Sequence, residues 1–423
     1  SNTAIGRSAL QNNTTASNNT AVGRDALSAN TTGSTNTAVG ASSGVSLTTG
    51  VNNVAIGAFA AQLLTTASNN VAVGNATLGA TGSTAVTGGN NTAVGNAALL
   101  ANTTGDHNTV VGYNAADANT TGRGHAVLGA SALTSNTTGE KSVAIGMSSL
   151  ESNTTGNYNV AVGDNSLNAN TTASNNTGVG RSALAANTTG TQQTAVGNTS
   201  LLSNTTGSEN TAFGFEALKL CTTGTTNSGI GKQSLRSLTT GTGNTALGIH
   251  AGYGITTGSN NLTLGQDAGR SNSPSGNITT GSNNVCLGDN SISNLFCADT
   301  SISSSDSRDK TDVADFSIGL AWINALRPVT YKWDRRTWYG TEAEPFGTPD
   351  GSKKRSKTHI GFLAQEALDV EKANGYGSSN DDSLVVNLTE DGMSYGMKYE
   401  RLVPILVNAI KELSAKVTAL EAG

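Results

Sequence analysis

Asn19-Thr20-Ala21-Val22-Gly23 returns seventeen residues later as Asn36-Thr37-Ala38-Val39-Gly40, and again as Asn53-Val54-Ala55-Ile56-Gly57. The closing glycine falls at positions 6, 23, 40, 57, 74, 95, 112, 129, 146, 163, 180, 197, 214, 231, 248, 265 and 288. Every interval is 17 residues except two, of 21 and 23. A fixed period near 20 residues marks an array whose units stack because none can bury its apolar face alone.

Each period reads as two short apolar steps separated by glycine and followed by a polar turn. The residue before the glycine is apolar in every copy, from Ile5 and Val22 to Phe213 and Leu287. Four residues after it comes Leu in most copies (Leu10, Leu27, Leu99, Leu133, Leu184), preceded by a small residue such as Ala26, Ala98 or Ser149. Thr-Thr-Gly or Thr-Thr-Ala then closes nearly every unit. Such a pattern has room for strands and turns and none for a helix. Four residues before the glycine, Asn recurs, replaced only by His125, Ser142 and Gln193. Stacked coils would turn that column into an amide ladder. The expectation is a parallel β-solenoid, about 80 Å long at roughly 4.8 Å per coil.

So thin a coil holds little apolar volume. The alternation is read here with Val22, Val39 and Ile56 inside, together with Leu. Ala21, Ala38 and Ala55 then lie on the outer face, small enough to let another chain approach. Side-by-side packing of three chains is the expectation.

Composition divides the chain. Residues 1–300 hold 9 Lys+Arg, 11 Asp+Glu and no Trp; residues 301–423 hold 15, 18 and Trp322, Trp333 and Trp338. A low-charge repeat is therefore followed by an ordinary α+β domain. Neither part is basic, so nucleic acid is not an expected partner, and no apolar run reaches the ~20 residues of a membrane span. Cys221, Cys286 and Cys297 have no metal-ligand spacing and read as buried thiols; no metal or cofactor is expected. The chain opens inside a repeat without an initiator Met, so the lack of a leader says nothing about its destination.

On the repeat array the acidic residues are scattered. Asp106, Arg123 and Glu140 share a column and read as a charge ladder. Asp117 and Glu151 stand two coils apart, near 10 Å, beyond the ~6.5–9.5 Å of an inverting glycosidase. The many Asn-x-Thr triplets read as turns, not glycan acceptors. The two long intervals, around Gly79 to Gly89 and Ser271 to Asn277, are the candidate recognition loops.

Near the C-terminus the chain reads Ser305-Asp306-Ser307-Arg308-Asp309-Lys310, then Leu326-Arg327-Pro328-Val329-Thr330-Tyr331-Lys332-Trp333, then His359-Ile360-Gly361-Phe362-Leu363-Ala364-Gln365-Glu366. A final stretch places Val403, Leu406, Ile410, Leu413, Val417 and Leu420 at alternating steps of three and four, a short heptad seam. These four segments, in this order, resemble the intramolecular chaperone domain of endosialidase-type phage tail proteins, a self-cleaving serine peptidase module. The repeats resemble the β-rolls of trimeric bacterial adhesin heads and phage tail fibres.

The resemblance implies a mainly β protein: a trimeric solenoid shaft over residues 1–290, a linker over 291–304 and a chaperone domain over 305–423. It implies that the domain drives trimerisation and then cuts between Ser304 and Ser305, with Ser305 and Lys310 as a catalytic dyad and His359 linked to activity. The residue chemistry agrees: a serine hydroxyl needs a base, and a lysine amine serves only when desolvation makes it neutral. A homotrimeric virion tail protein assembled in a bacterial cytoplasm, binding a host surface receptor of glycan type, is the leading expectation. A bacterial surface adhesin and a polysaccharide-degrading spike are the rivals.

Overall fold

The computed structural model describes residues 1–79, 84–292, 310–341, 344, 346–389 and 393–423. Seventeen three-residue strands, numbered β1 (Thr3–Ile5), β2 (Thr20–Val22) and onward to β17 (Val285–Leu287), form one parallel sheet, one strand per coil. Pairing steps by a full repeat: Thr3 sits against Thr20, Ala4 against Ala21, Ile5 against Val22. The 21-residue interval leaves the register intact, since Val71 still pairs with Thr92. The chain separates into two compact units, residues 1–266 with 279–285, and residues 267–278 with 286–423.

The period glycine is dictated by how closely coils approach. Gly23 adopts φ +141°, and a Cβ there would lie 2.4 Å from the carbonyl oxygen of Gly40. Gly163 and Gly180 repeat the situation at 2.6 Å. Only a residue without a side chain fits both the dihedral and the contact. The Leu four residues on is also left-handed, as at Leu27 (φ 48°) and Leu133 (φ 56°). That conformation costs a non-glycine residue of order 1–2 kcal/mol, and it is held because this Leu is the main apolar filler of the coil. Where Gly252 takes the position, Ile255 is buried three residues later, its Cδ1 3.2 Å from where a Cβ would be. Leu47 and Leu64 likewise follow Gly44 and Ala61.

The strand faces are the reverse of the sequence expectation. Ala21, Ala38 and Ala72 are fully buried, whereas Val39 is 36% and Phe213 54% exposed. With three-residue strands alternation admits either assignment, and interior width decides it. The coil already contains a Leu, a small residue and two polar columns, so the inward strand position takes compact side chains, mostly Ala, with Val110, Val127, Thr263 and Cys286 the bulkiest buried there. The β-branched and larger side chains at the pre-glycine position therefore form an outward stripe, with Ile56, Leu128, Ile145, Ile230 and Leu247 exposed along it.

The Asn column is present. Asn36 N donates to Asn19 Oδ1 (2.8 Å), and Asn19 Nδ2 donates to Gly33 O (2.9 Å). Most steps of the ladder run from backbone N–H to the amide oxygen of the preceding coil. Direct amide–amide steps also occur, as from Asn53 Nδ2 to Asn36 Oδ1 (3.0 Å). A second ladder, not anticipated, is made by the Asn of the Asn-Thr-Thr turns: Asn136 Nδ2 reaches Asn119 Oδ1 at 2.7 Å and Asn153 Nδ2 reaches Asn136 Oδ1 at 3.0 Å. These sequon asparagines are buried, Asn30, Asn119 and Asn136 fully so. Outside, Arg123 Nε and Glu140 Oε1 pair at 3.2 Å in the charge column. Cys221, buried and free, takes a ladder position, where desolvation pushes its thiol up to about 11. Cys286 is also buried and free, and Cys297 lies outside the described residues.

Substitutions in the first ladder keep an acceptor for the next coil. Ser142 N donates to His125 Nδ1 (3.2 Å), and His125 Nε2 meets Gly139 O at 2.8 Å. The ring is thus a neutral Nε2–H tautomer. A second proton would put an N–H against the N–H of Ser142. Burial lowers the His125 pKa below its ordinary value. The unfolded chain then binds a proton near pH 6.5 that the folded chain refuses, so stability falls as pH drops below about 6.5. Thermal melts at pH 7.5 and 5 should show this loss in the parent chain and a smaller one in His125→Asn; equal losses would contradict the assignment.

Candidate active site in the C-terminal domain

The domain's core is small and assembled from distant segments. Helix α1 (Leu320–Ala325) supplies Trp322, helix α2 (Ala364–Ala373) supplies Ala367, and helix α3 (Leu402–Glu421) supplies Leu402 and Ile405. Val385 and Val386 complete it beside strand β20 (Val386–Leu388), which pairs with β21 (Tyr395–Met397). Leu326 and Phe362, one from each of two sequence motifs, pack against this cluster.

Those motifs meet as an antiparallel pair, β18 (Val329–Tyr331) and β19 (His359–Gly361), with Tyr331 opposite His359. The His359 ring stacks on Tyr331 (centroids 5.6 Å apart, 21° between planes) and lies 6.3 Å from Trp333. A Cβ on Gly361 would sit 2.6 Å from the Tyr399 hydroxyl, which accepts a hydrogen bond from Phe362 N at 3.2 Å. Close approach of Tyr399 thus explains the glycine of His-Ile-Gly-Phe. Arg327 closes the same junction from outside with a forked contact to Glu366, Nε to Oε2 at 3.1 Å.

Of the predicted catalytic groups, Lys310 is exposed and His359 half-buried. No hydrogen bond or ring contact joins His359 to Lys310; His359 is held by aromatic neighbours. Ser304 and Ser305 lie outside the described residues, as do Asp306 and Arg308. The geometry thus gives the surroundings of His359 and leaves the catalytic assignments of Ser305, Lys310 and His359 untested. Among the described residues no group of three or more His, Cys, Asp or Glu is arranged to hold a metal ion.

Sequence reasoning missed Glu371. Fully buried, its carboxylate accepts from Val385 N (2.6 Å), Val386 N (2.9 Å), Leu384 N (3.1 Å) and Ser383 Oγ (3.0 Å). It fastens α2 to the strand β20 entry and satisfies backbone donors that have no sheet partner there. The available signal was positional: Ala367 and Glu371 are four apart on the buried side of α2.

The six heptad residues Val403, Leu406, Ile410, Leu413, Val417 and Leu420 are all exposed. The helix meets its own domain through another face, Leu402, Ile405 and Ala409, with Asn408 Nδ2 bonded to Ile318 O at 3.2 Å. No helix among the described residues is long and apolar enough to cross a membrane.

Residues 305–376 match the Peptidase_S74 family model, described as chaperone of endosialidase. Compared with curated proteins, the chain has no match. The C-terminal part of the chain carries an endosialidase-type chaperone module of a serine peptidase family, behind a long parallel β-solenoid. That combination fits a tail fibre with such a chaperone domain.

Replacing Glu371 by Gln swaps an acceptor-only group for one with an N–H₂ facing backbone donors. The loss should be of order 2 kcal/mol. All three tryptophans lie beyond residue 301, so their fluorescence during denaturant titration reports this domain alone. An unchanged midpoint would mean the carboxylate is not the fastener.

Proposed function

We propose that this chain is the shaft of a host-attachment fibre, that three copies assemble along it, and that its C-terminal domain assists assembly and then releases itself. The observation that carries this reading is the chaperone-family match, which opens at Ser305.

Assembly draws on two exposed apolar features that a lone chain leaves in water: the outward aliphatic stripe of the shaft and the heptad seam of α3. A row of Val, Ile and Leu at every coil would be buried between chains, and a mixed aliphatic seam under three heptads long would add to it. The contact between chains is thus assigned to the pre-glycine residues and not to the alanines, which face inward.

In the cleavage step, Ser305 Oγ attacks the carbonyl carbon of Ser304 while the Lys310 amine takes the hydroxyl proton. The C–N bond breaks and the Ser305 nitrogen leaves as an amine carrying that proton. Water then opens the ester, leaving a carboxylate on Ser304 and restoring the hydroxyl. Lys310 is exposed in the single chain, and a base role needs it desolvated. Cover supplied by neighbouring chains would tie cutting to assembly, with His359 as an orienting or relaying group. Host recognition is assigned to the shaft exterior, where Tyr113, Tyr158 and Phe215 are exposed, and to the long interval at Gly79 to Gly89, of which residues 80–83 lie outside the described residues and Val86 turns inward. The interval at Ser271 to Asn277 is the second candidate; there Ser273 turns inward and bonds Gly288 O at 3.0 Å.

Intact mass and N-terminal sequencing of the expressed chain should find a shaft ending at Ser304 and a fragment beginning at Ser305. Ser305→Ala and Lys310→Ala should each stay whole. A Lys310→Ala chain that cuts at the same bond would remove the lysine from the mechanism, and an uncut parent chain would remove the reading.

A further inference from the structure

The long polar stretch between β18 and β19 folds back to form one wall of a cleft. Arg335 leaves β18 with its guanidinium 4.1 Å from the Trp333 ring centre and hydrogen-bonded to Asn290 Oδ1. The 3-10 turn Arg336–Trp338 follows, and the returning arm is pinned where Arg355 N donates to Trp333 O at 2.9 Å. That bond places the Arg355 guanidinium over Trp338, 5.0 Å from its ring centre. Between the two arms lies a cleft of about 510 Å³, lined by Trp333, Arg335, Trp338, Arg355, Lys357 and His359.

Three permanent cations share this cleft, and among the described residues none of Arg335, Arg355 and Lys357 has a carboxylate partner. Partial burial and the charge of Arg355 both pull the Arg335 guanidinium below its ordinary value, as expected where like charges are drawn together without a counter-ion. A guanidinium stacked on an indole is weakly hydrated and held in a fixed plane, so its remaining N–H groups form a pre-set fork for two oxygens of one anion. A volume in this range suits a small molecule.

We propose that this cleft is a binding site for a small ligand bearing an oxyanion: a carboxylate, sulfate or phosphate group gripped by Arg335 and Arg355, with Lys357 at the rim. The proposed grip calls on neither Ser305 nor Lys310, while His359 on the cleft wall is shared with the proposed cleavage. It joins Trp338, Arg355 and Lys357 of the insert, 336–357, to Trp333, Arg335 and His359 on the insert's two flanks.

The test is titration of the full-length Ser305→Ala chain, which stays whole whether or not the parent cuts itself. Sodium sulfate, inorganic phosphate and D-glucuronate are the probes, at ionic strength held constant with chloride. Trp333 and Trp338 line the cleft, so a saturable change in tryptophan fluorescence is expected for at least one probe and none for chloride. The three probes separate the sulfate, phosphate and carboxylate versions of the ligand. Arg355→Gln should weaken the responding anion about tenfold or more, the loss of a charge-assisted pair, and Lys411→Gln on the exposed side of α3 should leave it unchanged. Arg355 is exposed, so its variant is expected to fold; Arg335→Gln is a second arm with the same expected loss. Absence of saturation with all three probes, or an unchanged response in both arginine variants, overturns the proposal.

Discussion

From Gly6 to Gly248, each period glycine of the shaft lies against the carbonyl of the next one, closer than any Cβ could come. That contact sets the coil spacing, and the rest of the shaft follows from it. Coils this close keep their strands in strict parallel register, bring each amide within hydrogen-bond reach of the one a repeat away, and hold Leu27, Leu133 and their equivalents in left-handed turns. A single side chain in the glycine column would force two coils apart and break ladders on both sides of it.

Close stacking also limits what the coil can contain. Its interior is an Ala, a small residue, a Leu and two asparagines, most of which bury little apolar surface. Cohesion comes instead from polar groups satisfied at most steps, where removing one partner leaves a buried group without its bond; Leu47, Leu64, Leu238 and Ile255 interrupt the second ladder. His125, Ser142 and Gln193 show the rule by exception. Each replaces Asn, and each finds hydrogen bonds inside the coil. The apolar residues that could have made a core are left on the outside, which is why the shaft's exposed stripe is aliphatic in a chain otherwise rich in Thr, Ser and Asn.

The period, the parallel strands and the first Asn column were legible in the sequence because each recurs at a fixed offset from glycine. The facing of the strand was not. Thr20-Ala21-Val22 alternates equally well either way, and the width of the interior, which the sequence does not state, decides for Ala21. The second ladder was hidden because Asn30-Thr31-Thr32 is also an ordinary turn sequence. In the C-terminal domain, four motifs pointed to the module, and β18 and β19 bring two of them together at Tyr331 and His359. Glu371 was hidden for the opposite reason: it belongs to no motif and works through backbone groups of a loop that only the fold brings near. The arginines of the insert were legible only as polar composition, until the bond from Arg355 to Trp333 folded the arms together.

The proposed trimer requires the aliphatic stripe to be an interface between copies of the chain. Multi-angle light scattering on the Ser305→Ala chain, which keeps shaft and domain together, measures this most directly. The expected particle has three times the 42.5 kDa chain mass. Aspartate at three neighbouring stripe positions, Val162, Val179 and Val196, should abolish the trimer, while Ser or Thr at exposed turn positions should not. A stable, soluble 42.5 kDa particle from the unsubstituted stripe would contradict it.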